Sequence, residues 1–393
     1  MLPFLHTARA IEAYVPSQVP SAVLACYRGD TLVCAGAWGA HDPATPDQSA
    51  TLGTLYDIAS LTKLYTATLF LAYVSAGKVS LDTPLVDVLP SFGAFTPRPL
   101  DGGQDPHSKQ HLPLAPERAG MTADPAQVTF WHLLTHTSGL PAWRDVYSVA
   151  PPPPPPNQPD PHAGERWAKG VQALCAYPFV GLPSEGVVRY SDIGLMLLGE
   201  AVRVLSGKNT LEEAFNAHFA PEDCPLFNPV RAHNLPLAHI APTEDDRTWR
   251  KRRVWGEVHD ENACGLGGVA AHAGAFATVE QVVRLGVRWL MQDPTLGITP
   301  ELMRLATQER AQTNGERRGL GWMIRSHQGS SAGDGLSLDT YGHTGFTGTS
   351  LYIDPVKRVV VALLTNAVYV GREHMPTYAL RRAVHNAIAE DIA

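Results

Sequence analysis

Residues 56–71 read Tyr-Asp-Ile-Ala-Ser-Leu-Thr-Lys-Leu-Tyr-Thr-Ala-Thr-Leu-Phe-Leu. From Leu61 onward the run is apolar on nearly every side, which predicts a helix buried in the centre of a domain. Its mouth nevertheless holds Ser60 and Lys63, spaced i, i+3 and so on one helical face. Free N–H groups and the dipole at a helix N-terminus favour negative charge, which is what a developing oxyanion requires. A plain alternative is that Asp57 or Ser60 caps the helix and Lys63 snorkels to the surface. Ser-x-x-Lys arises by chance about once in a chain of this size, and Ser75-Ala-Gly-Lys78 is such a chance match. There Gly77 ends the helix, so the two side chains share no helical face and meet carbonyls instead of N–H groups.

Working outward, residues 21–26 (SAVLAC) and 31–38 (TLVCAGAW) are β-rich runs joined by the turn residues Arg28-Gly29-Asp30, a hairpin in which Cys26 and Cys34 can face each other. Near the other end, 319–326, 348–353 and 357–365 read as strands. A helix follows over about 375–390, with Arg381 and Arg382 on its polar face. The middle of the chain is mostly helical pattern, at 60–76, 126–137, 191–205 and 211–219. Strands at both termini and helices between predict an α+β fold, an antiparallel sheet flanked by helices with an inserted, mostly helical lobe. We expect a single catalytic domain over 1–393, its α/β lobe from about 1–55 and 270–393 and its helical lobe from about 56–269. Residues 93–127 and 150–163, the latter holding Pro151 to Pro156, are expected as solvated loops.

The chain has 393 residues, 44% of them apolar, and a net charge of −7. That length supports a large core. The charge offers no basic field for nucleic acid or an anionic membrane, and Arg250 to Arg253 reads as a solvated charge run. A small-molecule or peptide partner is expected. Five dispersed cysteines without a Cys-x-x-Cys pair point to buried, reduced thiols. The opening MLPFLHTARAIEAYVPS lacks a basic n-region and reads as a short amphipathic helix, not a signal peptide. No window approaches 18 uninterrupted apolar residues, so no membrane span is expected and the protein is placed in the cytoplasm.

A serine nucleophile at residue 60 requires a base and a group to protonate the leaving atom. Tyr190-Ser191-Asp192 puts a phenol and a carboxylate ahead of an apolar helix, and His343-Thr344-Gly345 is a small-residue element beside a strand. Ser60-Leu-Thr-Lys63, Tyr190-Ser-Asp192 and His343-Thr-Gly345, in that order, resemble the three motifs of the penicillin-recognising serine hydrolases, in the branch of class C β-lactamases, D-alanyl-D-alanine carboxypeptidases and related esterases. The stretches 128–141, 256–278 and 363–367 also look familial. The resemblance implies a β-lactamase/transpeptidase-like fold, Ser60 as the acylated nucleophile, Lys63 as its proton partner and Tyr190 sharing acid and base work. It also implies that His343 and Thr344 hold a substrate carboxylate or ester oxygen beside Gly345, and that the backbone N–H groups of Ser60 and Phe346 form the oxyanion hole. No cofactor or metal is implied.

Two residues depart from that pattern. Asp192 replaces an asparagine; ionised, it only accepts hydrogen bonds and holds Lys63 protonated. His343 replaces a lysine, giving a weaker, pH-dependent cation. Both shift the expectation toward hydrolysis of carboxylic esters or small amides, with D-alanyl-D-alanine carboxypeptidase or weak β-lactamase activity as the alternative. A third reading keeps the fold as a sensor that binds a peptide or β-lactam without turnover. Two rivals from other classes are weaker. Gly329-Ser-Ser-Ala-Gly333 matches a hydrolase elbow around Ser331 but lies in a Gly/Ser/Asp loop, and His132 with His136 is two ligands short of a metal site. His259, Asp260 and His272 are candidates for the cleft wall or for structural hydrogen bonds.

Overall fold

The strand Ser21–Arg28 (β1) is apolar on both faces, the pattern of a strand covered on two sides. It pairs antiparallel with Thr31–Gly39 (β2) on one edge and with the last strand of the sheet on the other. The structure, a computed structural model, describes residues 4–106 and 108–393. The remaining strands of this sheet are Ala311–Thr313 (β3), Glu316–Arg318 (β4), Met323–Ile324 (β5), Tyr341–Thr344 (β6), Ser350–Asp354 (β7) and Val359–Thr365 (β8). Their spatial order is β3-β4-β5-β6-β7-β8-β1-β2, with every neighbouring pair antiparallel, so the expected antiparallel sheet forms from both ends of the chain.

Period-two alternation sorts this sheet's side chains. Ala22, Leu24 and Cys26 of β1, with Val359, Val361 and Leu363 of β8, point to one face, where they pack with Ile11, Leu380, Val384 and Ile388. Those residues come from the helices Leu5–Glu12 (α1) and the C-terminal Thr377–Asp391, and Ala389 of the latter joins a small adjoining cluster. Val23, Ala25, Val360, Ala362 and Leu364 point the other way, into the main core. The helix Thr62–Ser75 lies in that core, buried from Thr62 to Ala72. We number it α2, followed by Phe130–Thr135 (α3), Ala163–Leu174 (α4), Asp192–Ser206 (α5), Leu211–His218 (α6), Val279–Leu290 (α7) and the C-terminal helix (α8). Helix α7, opened by a Thr278/Gln281 capping box, packs on β1, β7 and β8. Among the described residues no helix is long and apolar enough to cross a membrane.

Several expectations change. Of 319–326 only Met323 and Ile324 are strand, because Gly319 and Gly321 make close approaches. A Cβ at Gly319 would stand 2.0 Å from Ala306 O, and one at Gly321, which has φ +80°, 2.4 Å from the Ala67 Cβ of α2. The charge run is solvated only in part: Arg250 is buried, enclosed by Asp246 and the Val258 and His259 carbonyls, the half-buried Arg253 guanidinium lies over Tyr369, and Lys251 is exposed. Nor is the proline run free in solvent. With no N–H to offer, it presents carbonyls, and Arg166, Arg252 and Arg231 donate to those of Pro151, Pro153 and Pro154 at 2.8, 2.9 and 2.8 Å. Helices α4 and α7 were not anticipated. Cys26 and Cys34 sit opposite in register, and all five thiols are free. Residues 1–3 of the expected N-terminal helix and residue 107 of the 93–127 segment lie outside the described residues.

The contact of α7 with the sheet depends on Gly286, where a Cβ would approach Val360 Cγ1 to 2.5 Å and Leu351 Cδ1 to 3.0 Å. Gly286→Ala should therefore destabilise the protein by about 1–3 kcal/mol even though alanine is the better helix former. Gly164→Ala in α4, where a Cβ meets nothing within 4 Å, should be neutral or gain up to ~1 kcal/mol. Urea unfolding of the two variants checks the contrast.

Candidate active site

The helix α2 does not begin at Ser60. Residues Ala59–Leu61 form a 3-10 turn before it, and Ala59 holds the left-handed backbone value φ +47°, an uncommon one for a residue with a Cβ. Asp57 stabilises this bend: one carboxylate oxygen accepts the Ala59 N–H at 2.8 Å and the other the His259 N–H at 2.6 Å. Burial pushes the Asp57 pKa up, opposed by those two N–H groups, and the balance leaves it at about 6. Asp57 thus supports the bend from within and does not cap α2. Ser60 is not a cap either, because its hydroxyl is engaged elsewhere.

Ser60 Oγ accepts hydrogen bonds from Lys63 Nζ and from the Tyr190 hydroxyl, each at 2.9 Å. Lys63 is only 1% exposed and does not snorkel. Besides Ser60, its ammonium donates to the His272 carbonyl at 2.8 Å and makes an ion pair with Asp192 Oδ1 at 2.8 Å. Burial alone would lower the Lys63 pKa, but Asp192 and Tyr190 beside it raise it above the ordinary lysine value. The amine is therefore an ammonium at neutral pH. Burial raises the Tyr190 pKa against the pull of Lys63, so the phenol keeps its proton.

Asp192 reaches Lys63 because it is the first residue of α5. Ser191 forms the N-cap: its hydroxyl accepts the Gly194 N–H and donates to the Pro141 carbonyl, and its N–H donates to His136 Nδ1. His136, in left-handed conformation at the end of α3, packs its ring 4.8 Å from that of Tyr190. This is the use of one half of the supposed metal pair; the other, His132, makes a capping box with Thr129. Arg318 on β4 lies 5.2 Å from the Tyr190 ring, a buried cation at the site that the sequence reading missed. Its only signal is the second of two adjacent arginines in a short polar strand.

The third motif lies on β6 and in the turn after it. His343 is 2% exposed, and its Nδ1–H donates to the Thr344 carbonyl at 2.8 Å. Burial, with Arg318 and Lys63 nearby, holds its pKa well below 6.5. His343 is thus neutral, which corrects the expectation of a cation that titrates near neutrality. Gly345 must lack a side chain, since a Cβ would come within 2.1 Å of Thr349 Oγ1 and 2.6 Å of Ile58 O. The turn is fastened to the bend before Ser60 by Thr347 Oγ1 on the Asp57 carbonyl (2.8 Å) and Thr349 Oγ1 on the Ile58 carbonyl (3.1 Å). The backbone N–H groups of Ser60 and Phe346 both lie in these fastened segments, and among the described residues neither donates to a backbone carbonyl in a turn, loop or cap. The Phe346 ring, 37% exposed, stacks on His259 at 5.6 Å.

The structure brings Ser60, Lys63, Tyr190 and Asp192 together, with His343, Thr344, Gly345 and Phe346 on the adjoining element. His272 contributes its backbone carbonyl while its ring bonds Asp260 at 2.9 Å. Away from this cluster, Ser331 Oγ bonds the Tyr352 hydroxyl at 2.6 Å in a loop, and Ser75 Oγ accepts the Thr299 N–H at the far end of α2.

Three comparisons bear on this arrangement. Residues 7–385 match the family model described as Beta-lactamase. A protein of Escherichia coli (strain K12) named "Putative D-alanyl-D-alanine carboxypeptidase" is 28% identical over 383 residues, covering 91% of this chain and 81% of the relative. Among solved structures, a penicillin-binding protein homologue from Caulobacter crescentus superposes with a TM-score of 0.67 at 17% identity, covering 99% of this chain and 97% of that one. EstCE1, described as a hydrolase with promiscuous acyltransferase activity, gives 0.66 at 17% identity, covering 97% and 98%. The fold is thus shared with a penicillin-binding protein homologue and with a hydrolase that has acyltransferase activity.

Asp57 also sets a pH dependence. Its native pKa of about 6 lies above its ordinary value of 3.8, so the folded protein binds more protons than the unfolded chain between those values. The contribution is fully present below pH 3.8 and is lost as pH rises through 6. Asp57→Asn should remove a stability slope of about 1–3 kcal/mol across this window, read as the wild-type-minus-variant unfolding free energy shrinking from pH 4 to 7.

Proposed function

The chain belongs to the β-lactamase family of serine hydrolases, and from that premise we propose that it hydrolyses carboxylic esters or small amides through an acyl-enzyme on Ser60. The observation that carries this reading is the Ser60 hydroxyl oxygen held at 2.9 Å by both an ammonium and a phenol. Attack of Ser60 Oγ on a carbonyl carbon forms the acyl–oxygen bond and releases the serine proton. Lys63 accepts that proton as it passes one of its own to Asp192, so the pair gains a single proton and the negative charge moves from Asp192 to the carbonyl oxygen. Tyr190 gives its proton to the departing alkoxide or amine and is reprotonated from the Lys63–Asp192 pair. Negative charge on the carbonyl oxygen is met by the Ser60 and Phe346 N–H groups. Water then attacks the acyl-enzyme by the same relay in reverse.

The neutral His343 favours esters and small amides over substrates anchored by a free carboxylate, since the third motif brings no cation of its own. A second reading, D-alanyl-D-alanine carboxypeptidase, is favoured by the name of the E. coli relative. Intact mass spectrometry with a p-nitrophenyl ester, a cephalosporin, a D-alanyl-D-alanine peptide and an organophosphonate, beside p-nitrophenol release, separates the readings. One adduct on Ser60 with steady ester turnover supports the proposal. Peptide turnover without ester turnover favours the second reading, an adduct without turnover makes the protein a sensor, and no adduct defeats all three.

Ser60→Ala should abolish the adduct and turnover, and Lys63→Ala should lower kcat by about 10³-fold or more. Tyr190→Phe should cost about 10²–10⁴-fold, whereas Ser75→Ala and Ser331→Ala should leave both rates near wild type. Asp192→Asn removes the anion that opposes burial at Lys63, so the Lys63 ammonium should titrate at lower pH. NMR of lysine-labelled protein, with Lys63→Met for assignment, reads that shift.

A further inference from the structure

Arg381 was expected on the polar face of the last helix, yet it is 8% exposed and points beneath the sheet. Its neighbour Arg382 reaches the surface carboxylate of Asp334. Arg381 instead sends Nη2 to the carbonyls of Gly345 (2.5 Å) and Thr349 (2.9 Å), the two ends of the turn that carries Phe346. Burial lowers its pKa to about 10, opposed by the Tyr352 phenol and by no carboxylate, so it remains a cation at neutral pH. A buried guanidinium without a counter-charge is costly, and here its charge is spent on two peptide oxygens.

The Gly345 carbonyl and the Phe346 N–H belong to one peptide group, planar and conjugated. A cation donating to the oxygen withdraws electron density through the amide and makes the N–H a stronger donor. We propose that Arg381 is a positioning residue that both fixes the Gly345–Thr349 turn and polarises the Phe346 N–H from behind, lending buried positive charge to the oxyanion hole. The inference rests on the assignment of Ser60 and Phe346 N–H to that hole. The other donor has a neutral counterpart of the same device: Thr62 Oγ1 donates at 2.7 Å to the Ala59 carbonyl, which shares a peptide group with the Ser60 N–H. The two donors are therefore backed unequally, one by a hydroxyl and one by a cation.

The test compares Arg381→Lys, which keeps charge, with Arg381→Gln, which keeps a donor without charge, in the full chain. Rates of Ser60 phosphonylation by an organophosphonate, kcat and KM for a p-nitrophenyl ester, and urea midpoints are measured together. The proposal expects Arg381→Gln to lose about 10- to 100-fold in phosphonylation rate and kcat with KM little changed, and Arg381→Lys to stay within a few-fold of wild type. Equal losses in both variants, following a fall in the urea midpoint, would mean packing alone and overturn it. Wild-type rates in Arg381→Gln would overturn it as well. If Arg381→Gln does not fold, Arg381→Lys decides: a rate within a few-fold supports the proposal, and a hundred-fold loss in a folded variant refutes it. Absence of any adduct on wild-type Ser60 would instead remove the reading on which the inference stands.

Discussion

A lysine ammonium that is 1% exposed can persist only if something replaces the water it has lost. Lys63 finds three replacements from three parts of the chain: the Ser60 hydroxyl one turn earlier, the carbonyl of His272, and the carboxylate of Asp192 at the start of α5. Satisfying one charge thus brings together residues more than two hundred positions apart. The same demand places Asp192 and, through Ser191 and His136, orients Tyr190 beside the serine. Much of the site's geometry follows from keeping this ammonium solvated by protein.

A second constraint joins the sheet to the helical core. Two threonine hydroxyls of the turn after β6, Thr347 and Thr349, bond the carbonyls of Asp57 and Ile58, immediately before the strained Ala59. These bonds leave the Ser60 and Phe346 N–H groups in two segments that are fastened to each other. Glycine at 345 is required because Thr349 and Ile58 occupy the space of a side chain. The unfavourable φ at Ala59 is held by the Asp57 carboxylate and by these contacts, a local cost that the surrounding structure over-determines.

The elements that were readable in the sequence are those whose burial pattern is local. The hairpin of β1 and β2, strands β7 and β8, and helices α2, α5 and α8 show period-two or helical patterning, and Ser60, Lys63, Tyr190 and Asp192 stand in short motifs at their ends. Strand 319–326 was misjudged because its glycines answer to the neighbouring Ala67 and Ala306, which no local pattern reports. Arg250 and Arg381 were misjudged for a related reason. An arginine on a polar stripe looks solvated until its partners, backbone carbonyls from elsewhere in the chain, are known. The sequence of helix α7 does carry a local signal, the Thr278/Gln281 capping box ahead of an amphipathic run.

By itself the sequence determined the α+β class, the antiparallel sheet drawn from both ends of the chain, and the residue types of a serine-centred site, because periodicity and short motifs are properties of neighbours in the chain. Only the tertiary structure decided the states of those residues: Lys63 charged, His343 neutral, Asp57 pushed up to about 6. Protonation depends on which charges and how much water surround a group, and those surroundings come from segments remote in sequence. For the same reason it was the folded chain that turned Arg381 from a surface residue into a buried cation behind the Phe346 peptide.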